Sequence, residues 1–423
     1  MSIGIGLLLL GLYGFIAQRS YHAPVYKFHG SGSVLLLSIL SVVAILVWRR
    51  RSIRPMEWIL PAAAIALTMC SFPDTSRDYL RYLLDGEMIR LWHLSPYLHL
   101  PAEFPLDLYA RAIGSIWWTS IPSPYGPMWQ AIMVAINFIS GNTVLGGVIA
   151  LKLLDLAAVL ACARYLFAIS GKPYLSFLFL MNPIVLLNTV GTPHSDIIIA
   201  AAVLAAVHGT SAAGRGLALA SAGLIKIPAL LFVPFLDRRA RTTCVIVAWT
   251  TTFLGGLLLA LKPVVGYNVF SMLRASADGG VDGTQSLLMH SLLPGANTSI
   301  VYLASYLLFF ACYIAIGIAF WRRSITAVDA LGLTSLSVPL CLTGLLLPWH
   351  FIIPLTLLLL NSRPLALWAI LFLTLLVLRS ATTALELLVL AAIFGLGEWI
   401  TARMFSRVSS PPGFTRHIAS YLR

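Results

Sequence analysis

Apolar residues along this chain do not alternate with period two, and they seldom leave a polar face at helical spacing. They run on. Stretches at 32–48, 143–169, 242–261, 299–320 and 325–347 meet or approach the ~20 residues that a bilayer-crossing helix needs. Shorter runs at 3–17, 126–139, 196–208 and 351–361 tilt little, thin the membrane or fail to cross. The pattern predicts an all-α polytopic membrane protein with about 13 transmembrane helices. Two hydrophilic stretches, 73–125 and 262–298, interrupt it. A short connection, Pro348 to Pro354, brackets Trp349 and His350 between prolines.

The composition agrees: 59% of the 423 residues are hydrophobic and 10% charged, far from a water-soluble domain. A net charge of +13 does not imply nucleic acid here. The arginines cluster at 49–54, 238–241, 322–323 and 403–423, as the excess of cations on cytoplasmic loops requires. With the N-terminus inside, helices at 3–17, 32–48 and 56–72 carry the chain out just before Pro73, so 73–125 is expected on the extracytoplasmic side. Helix counting puts 262–298 there too, and the basic 401–423 tail inside. Between 173 and 236 the parity is open. Straight counting leaves GTPHSD (191–196) inside; treating 173–190 and 216–236 as hairpins of half-helices, broken at Asn182-Pro183, Gly191, Pro193 and Pro228, puts it outside, and this is preferred because broken helices are tolerated where they line a cavity. The expected divisions are 1–55 (two added helices), 56–261 (core), 262–298 (second outer loop), 299–400 (C-terminal helices) and 401–423 (tail). Five cysteines lack CxxC spacing and are expected as small core residues.

Six of the 15 carboxylates, Asp74, Asp78, Asp85, Glu87, Glu103 and Asp107, fall in the first outer stretch. Asp78, Arg81, Tyr82 and Asp85 share one stripe of a helix, with Leu80, Leu83, Leu84, Met88 and Leu91 opposite. Such a helix is expected to lie flat at the interface and to offer its polar side to an outer cavity. The alternative is a solvated helix whose Asp and Arg only pair with each other.

Asp78-x-x-Arg81-Tyr82-x-x-Asp85-Gly86, then Pro96-Tyr97 and Tyr125-Gly126-Pro127, resemble the first outer loop of GT-C membrane glycosyltransferases, which use polyprenyl-phosphate sugars. The bacterial polyprenyl-phosphomannose-dependent alpha-mannosyltransferases are similar. MNPIVLLNTVGTPHSD and AGLIKIPALLFVP resemble two further elements of that family, so the likeness runs over 56–236. His93 stands where the family has Gly, and Ser195 where Asn is common. The resemblance implies a GT-C type bundle in the bacterial cytoplasmic membrane, with an extracytoplasmic active site. It implies an inverting transfer of a sugar, mannose being the family's commonest donor, to a glycan or glycolipid. Partners would be the lipid-linked donor, the acceptor and membrane lipids, with no nucleic acid; the chain is expected to act as a monomer.

Such a transfer needs one base and cations for the departing phosphate. Asp78 is the expected base, with Asp85 and Asp74 in reserve. Arg81, Lys226, His194 and His350 are expected at the phosphate, because an ionisable group at membrane depth is kept for a partner. Lys226 could instead snorkel, His350 pack against backbone, and His194 cap a helix end. Tyr82, Tyr97, Tyr125 and Asp196 are expected at the sugar or acceptor, although Asp196 could simply cap the helix that follows. No Gly-rich phosphate loop occurs, and no acidic residue is spaced with His or Cys as metal ligands are, so neither cofactor nor metal is expected. A flippase or polymerase for lipid-linked glycans is the alternative function. A secondary transporter is another, against which stand the lack of two similar halves and the gathering of charge in an outer loop.

Overall fold

The computed structural model describes residues 2–20, 53–73, 76–114, 116–266, 271, 293, 297–342 and 347–360. Asp74, the span expected at 32–48, most of the second outer loop and everything after 360 lie outside the described residues. Every described element is helical. In chain order these are α1 (Ser2–Ser20), α2 (Ile59–Met69), α3 (Asp78–Trp92), α4 (Leu108–Ile113), α5 (Ile116–Thr119), α6 (Pro127–Ser140) and α7 (Val144–Ser170). After them come α8 (Pro173–Leu180), α9 (Pro183–Leu186), α10 (Asp196–His208), α11 (Ala212–Ile225), α12 (Ala240–Val265), α13 (Thr298–Trp321), α14 (Ala327–Leu342) and α15 (Ile352–Leu359).

Among the described residues, α7, α12 and residues 299–321 of α13 are long and apolar enough to cross a membrane; 173–191 adds a fourth if its bent halves count as one span. Phe310, Ile314, Trp249 and Leu259 stay exposed on α13 and α12, as lipid-facing side chains do. The inner layer is α7, which packs on α6, α8 and α10, while α15 covers another side of α10.

Two departures from the sequence expectation concern breaks. Residues 173–191 bend by 53°, less than a hairpin. The bend falls at Asn182, whose Oδ1 accepts from the N–H groups of Ile184 and Val185 at 2.9 and 3.3 Å and so starts a new helix whose first residue is Pro183. The second break comes at Lys226, before Pro228: α11 ends, Lys226 is extended (φ −144°, ψ 123°), and a 3-10 turn, Ile227–Phe235, follows.

The third departure is α3. It forms over the expected residues but does not lie at a surface. Leu80, Leu83, Leu84 and Met88 are buried, and so are Asp78, Arg81, Tyr82 and Asp85. Gly86 permits this, since a Cβ there would stand 2.6 Å from the carbonyl oxygen of Met133 on α6. The helix ends with His93 in the left-handed region (φ 56°), a position that Gly ordinarily fills. Of the cysteines, Cys162 and Cys341 are buried, whereas Cys70 and Cys244 are exposed, outside the core role expected for all five.

Candidate active site

Asp78 and Asp85 begin on the same face of α3 and end in different surroundings. Asp85 is sealed. One oxygen accepts from Arg81 Nε at 2.8 Å and the other from Gln130 Nε2 at 3.1 Å. Arg81 Nη1 also donates to the carbonyls of Trp118 (2.6 Å) and Ile121 (3.0 Å). Both side chains have 0% exposure. The expected display of this guanidinium and carboxylate to a cavity is therefore corrected: they pair with each other in the interior, which offsets part of the cost of burying two charges, although Arg81 Nη2 has no hydrogen-bond partner among the described residues.

Asp78 is the open carboxylate. Its side chain is 7% exposed and accepts no hydrogen bond among the described residues, and His194 Nε2 lies 3.9 Å from its Oδ2. Asp78 comes from α3; His194 comes from the turn between Gly191 and α10. That turn follows a π-helical segment, Leu187–Gly191, of the kind often found at functional sites. His194 Nδ1 meets the carbonyls of Thr192 and Asn188 at 2.8 and 3.1 Å, and Asp155 Oδ2 on α7 accepts its backbone N–H at 2.9 Å. The indole of Trp349 stacks on the ring with centroids 4.2 Å apart. Burial, opposed by the charges of Asp78 and Asp196, lowers the pKa of this ring and so favours the neutral form, whereas the sequence suggested a cation.

Lys226 sits at the break after α11. Its Nζ donates to Asp196 Oδ2 at 2.8 Å and lies 5.8 Å above the Tyr125 ring. Asp196 thus spends its carboxylate on Lys226, and no side-chain cap forms at the start of α10. Tyr125 reaches Lys226 because Gly126 lets the two chain segments touch. Gly126 N–H donates to Ile225 O at 2.9 Å, and a Cβ at Gly126 would strike the Leu224 carbonyl.

Asp196, Lys226 and His350 line one cavity of about 180 Å³, whose other walls are apolar apart from Ser335, among them Ile199, Phe232, Val338 and Ile353. His350 arrives on the 3-10 turn Pro348–Phe351 ahead of α15, beside Trp349.

The three tyrosines are interior. Tyr97 donates its hydroxyl to the Tyr125 carbonyl at 2.8 Å, and the Tyr82 ring meets Tyr125 and Trp129 edge-on at 4.9 and 5.0 Å. The Tyr82 and Tyr125 rings pack on each other and Tyr97 is buried in a cluster with Ile89 and Val265, which corrects the expected display of their faces to a sugar. Burial first, and the Asp78 charge next, push the Tyr125 phenol well above its ordinary range, so it stays neutral.

Two members of this constellation were missed in the sequence. Asp155 carried a usable signal, being an acid inside an apolar span, three residues after Lys152. Both point inward: Lys152 Nζ donates to the carbonyls of Met69 (3.1 Å) and Ser71 (2.5 Å), where α2 hands over to the segment leading to Asp78. The stacking of Trp349 on His194 gave no signal, since 155 residues separate the two rings along the chain.

The family described as "Alpha-(1->6)-mannopyranosyltransferase, N-terminal domain" matches residues 5–240, a span that includes the helix ahead of residue 56. "Alpha-(1->6)-mannopyranosyltransferase B" of Corynebacterium glutamicum is 27% identical over 210 residues, covering 48% of this chain and 31% of that protein. "Alpha-(1->6)-mannopyranosyltransferase A" of Mycobacterium tuberculosis is 29% identical over 181 residues, covering 41% of this chain and 34% of that protein. The chain thus spans about a third of the length of the curated relatives it matches. No solved structure matches it.

Proposed function

We propose, because this chain belongs to the alpha-(1->6)-mannopyranosyltransferase N-terminal-domain family, that it transfers mannose from a polyprenyl-phosphate donor to a glycan or glycolipid acceptor. The site would face the extracytoplasmic side of a bacterial cytoplasmic membrane. Two observations carry the mechanism: an open carboxylate, Asp78, 3.9 Å from His194, and a cavity lined by Asp196, Lys226 and His350, of which Asp196 stands two residues after His194 in the chain.

Asp78 takes the proton of an acceptor hydroxyl while that oxygen attacks the anomeric carbon. The bond from that carbon to the phosphate oxygen breaks, and its electron pair leaves with the phosphate. A lone base opposite the leaving group gives inversion. Lys226 has three N–H donors; Asp196 takes one, and the side chain is 28% exposed, so donors remain for an anion. His350 on the same cavity supplies a second contact. The apolar walls suit the first isoprene units, the rest of the prenyl chain running along the lipid-facing surface.

The charge of the leaving phosphate is met by side chains, so transfer is proposed to need no divalent metal, and activity in chelator checks this. The decisive assay mixes the full chain, reconstituted in lipid, with labelled polyprenyl-phosphomannose. Release of polyprenyl phosphate only when acceptor is present supports transfer. Movement of the labelled lipid across the bilayer without release would support a flippase instead.

A further inference from the structure

His194 is held on every side but one. Its Nδ1 lies against two carbonyl oxygens, which only accept, so this nitrogen carries the ring proton. Its backbone N–H is bound by Asp155, and Trp349 covers its face. In the neutral ring Nε2 is then a bare acceptor. That atom is buried without a hydrogen-bond partner, a costly condition for a polar group. The charged groups around the ring are Asp78 from α3, Asp155 from α7, Asp196 from α10 and Lys226 from the break after α11, with Trp349 stacked from the turn before α15. Nε2 faces the first of these, at 3.9 Å.

We propose, resting on the assignment of Asp78 as base, that His194 is a second catalytic residue, the acceptor to which Asp78 passes the proton it has taken. The acceptor O–H breaks, its proton joins Asp78, and the new bond to the anomeric carbon forms as the bond to phosphate breaks. The carboxylic acid then donates to Nε2, which regenerates the Asp78 carboxylate beside an imidazolium. The Thr192 and Asn188 carbonyls, still receiving the Nδ1 proton, stabilise that cation, as does Asp196. The proton departs with the released phosphate. Direct transfer needs the 3.9 Å gap to shrink by about 1 Å to hydrogen-bond length. A side-chain rotation of Asp78 supplies this, since its carboxylate is held by no other group among the described residues.

The test compares wild type, His194→Asn, His194→Ala and Asp78→Asn in the reconstituted transfer assay. His194→Asn keeps an N–H for the two carbonyls but deletes the Nε2 acceptor together with the ring that stacks on Trp349. Its kcat is expected to fall about 100-fold or more. Donor and acceptor KM should stay within about twofold, and the variant should remain folded, with an unfolding midpoint no lower than that of His194→Ala. Added imidazole should restore part of the rate to His194→Ala. The proposal is overturned if His194→Asn keeps more than about a third of wild-type kcat, or if its loss lies in donor KM. It is equally overturned if imidazole restores nothing to His194→Ala. An active Asp78→Asn would instead remove the base assignment beneath it.

Discussion

Two ion pairs of equal length stand close to the open carboxylate, and their fates differ. Arg81–Asp85 and Lys226–Asp196 are both 2.8 Å long, but the first pair has 0% exposure on each side and the second has 28% on its lysine. Arg81 is spread over a carboxylate and two carbonyls that tie α3 to the 118–121 segment. Lys226 has one acceptor among the described residues, and a cavity. A charge that is sealed in on all sides holds the fold, whereas a charge with donors to spare can hold a ligand. Motif membership does not separate the two. Desolvation and partner count do.

The largest expected effect is on the sealed side. Arg81→Ala strands Asp85 in the interior and should cost about 3–5 kcal/mol, seen as loss of folded, monodisperse protein in detergent. If Arg81→Ala instead folds normally and loses only donor affinity, the contrast between the pairs fails. Lys226→Met should do the reverse. Because Asp196 is left at 7% exposure beside the cavity, some stability is lost but less than for Arg81→Ala, while kcat/KM for the lipid donor falls about 100-fold.

Asp155 lies between these cases, because it is buried but holds only a backbone N–H. Asp155→Ala should lower stability by about 1–3 kcal/mol through an unsatisfied donor, and Asp155→Asn, which keeps an acceptor oxygen, by much less. Unfolding of the two variants side by side measures the difference.

Glu87 gives the smallest effect, through pH. Burial pushes its carboxyl up to about 7, with Asp107 adding to the rise and Arg90 opposing it. The unfolded chain releases that proton near 4.5, so between 4.5 and about 7 only the folded state keeps it. Stability should therefore be full below that window and decline as pH rises through it. Glu87→Gln should flatten that decline, which a midpoint-against-pH curve would show.

Much of this arrangement could be read from residues alone. The helix over Asp78–Trp92 follows from its i, i+3, i+4, i+7 stripe, and the break at Asn182-Pro183 from a cap and a proline. Asp78, His194, Asp196, Lys226 and His350 were singled out from four separate segments, and the fold brings them together. What failed was direction. The polar stripe of α3 looked as if it needed water, but Arg81 and Asp85 answer each other and Gly86 lets α6 cover them. Periodicity reports which residues share a face and not what that face meets. Asp155 and Trp349 matter only through partners far away in the chain, which no local pattern encodes.

The central claim concerns Asp78, the carboxylate of this motif that accepts no hydrogen bond among the described residues. Asp78→Asn preserves shape and, because no hydrogen bond to the carboxylate is lost among the described residues, should unfold at the wild-type midpoint. In the reconstituted assay its acceptor-dependent release of polyprenyl phosphate should drop about 100-fold or more, as removal of a general base requires. Retention of more than about a tenth of the wild-type rate would contradict the account.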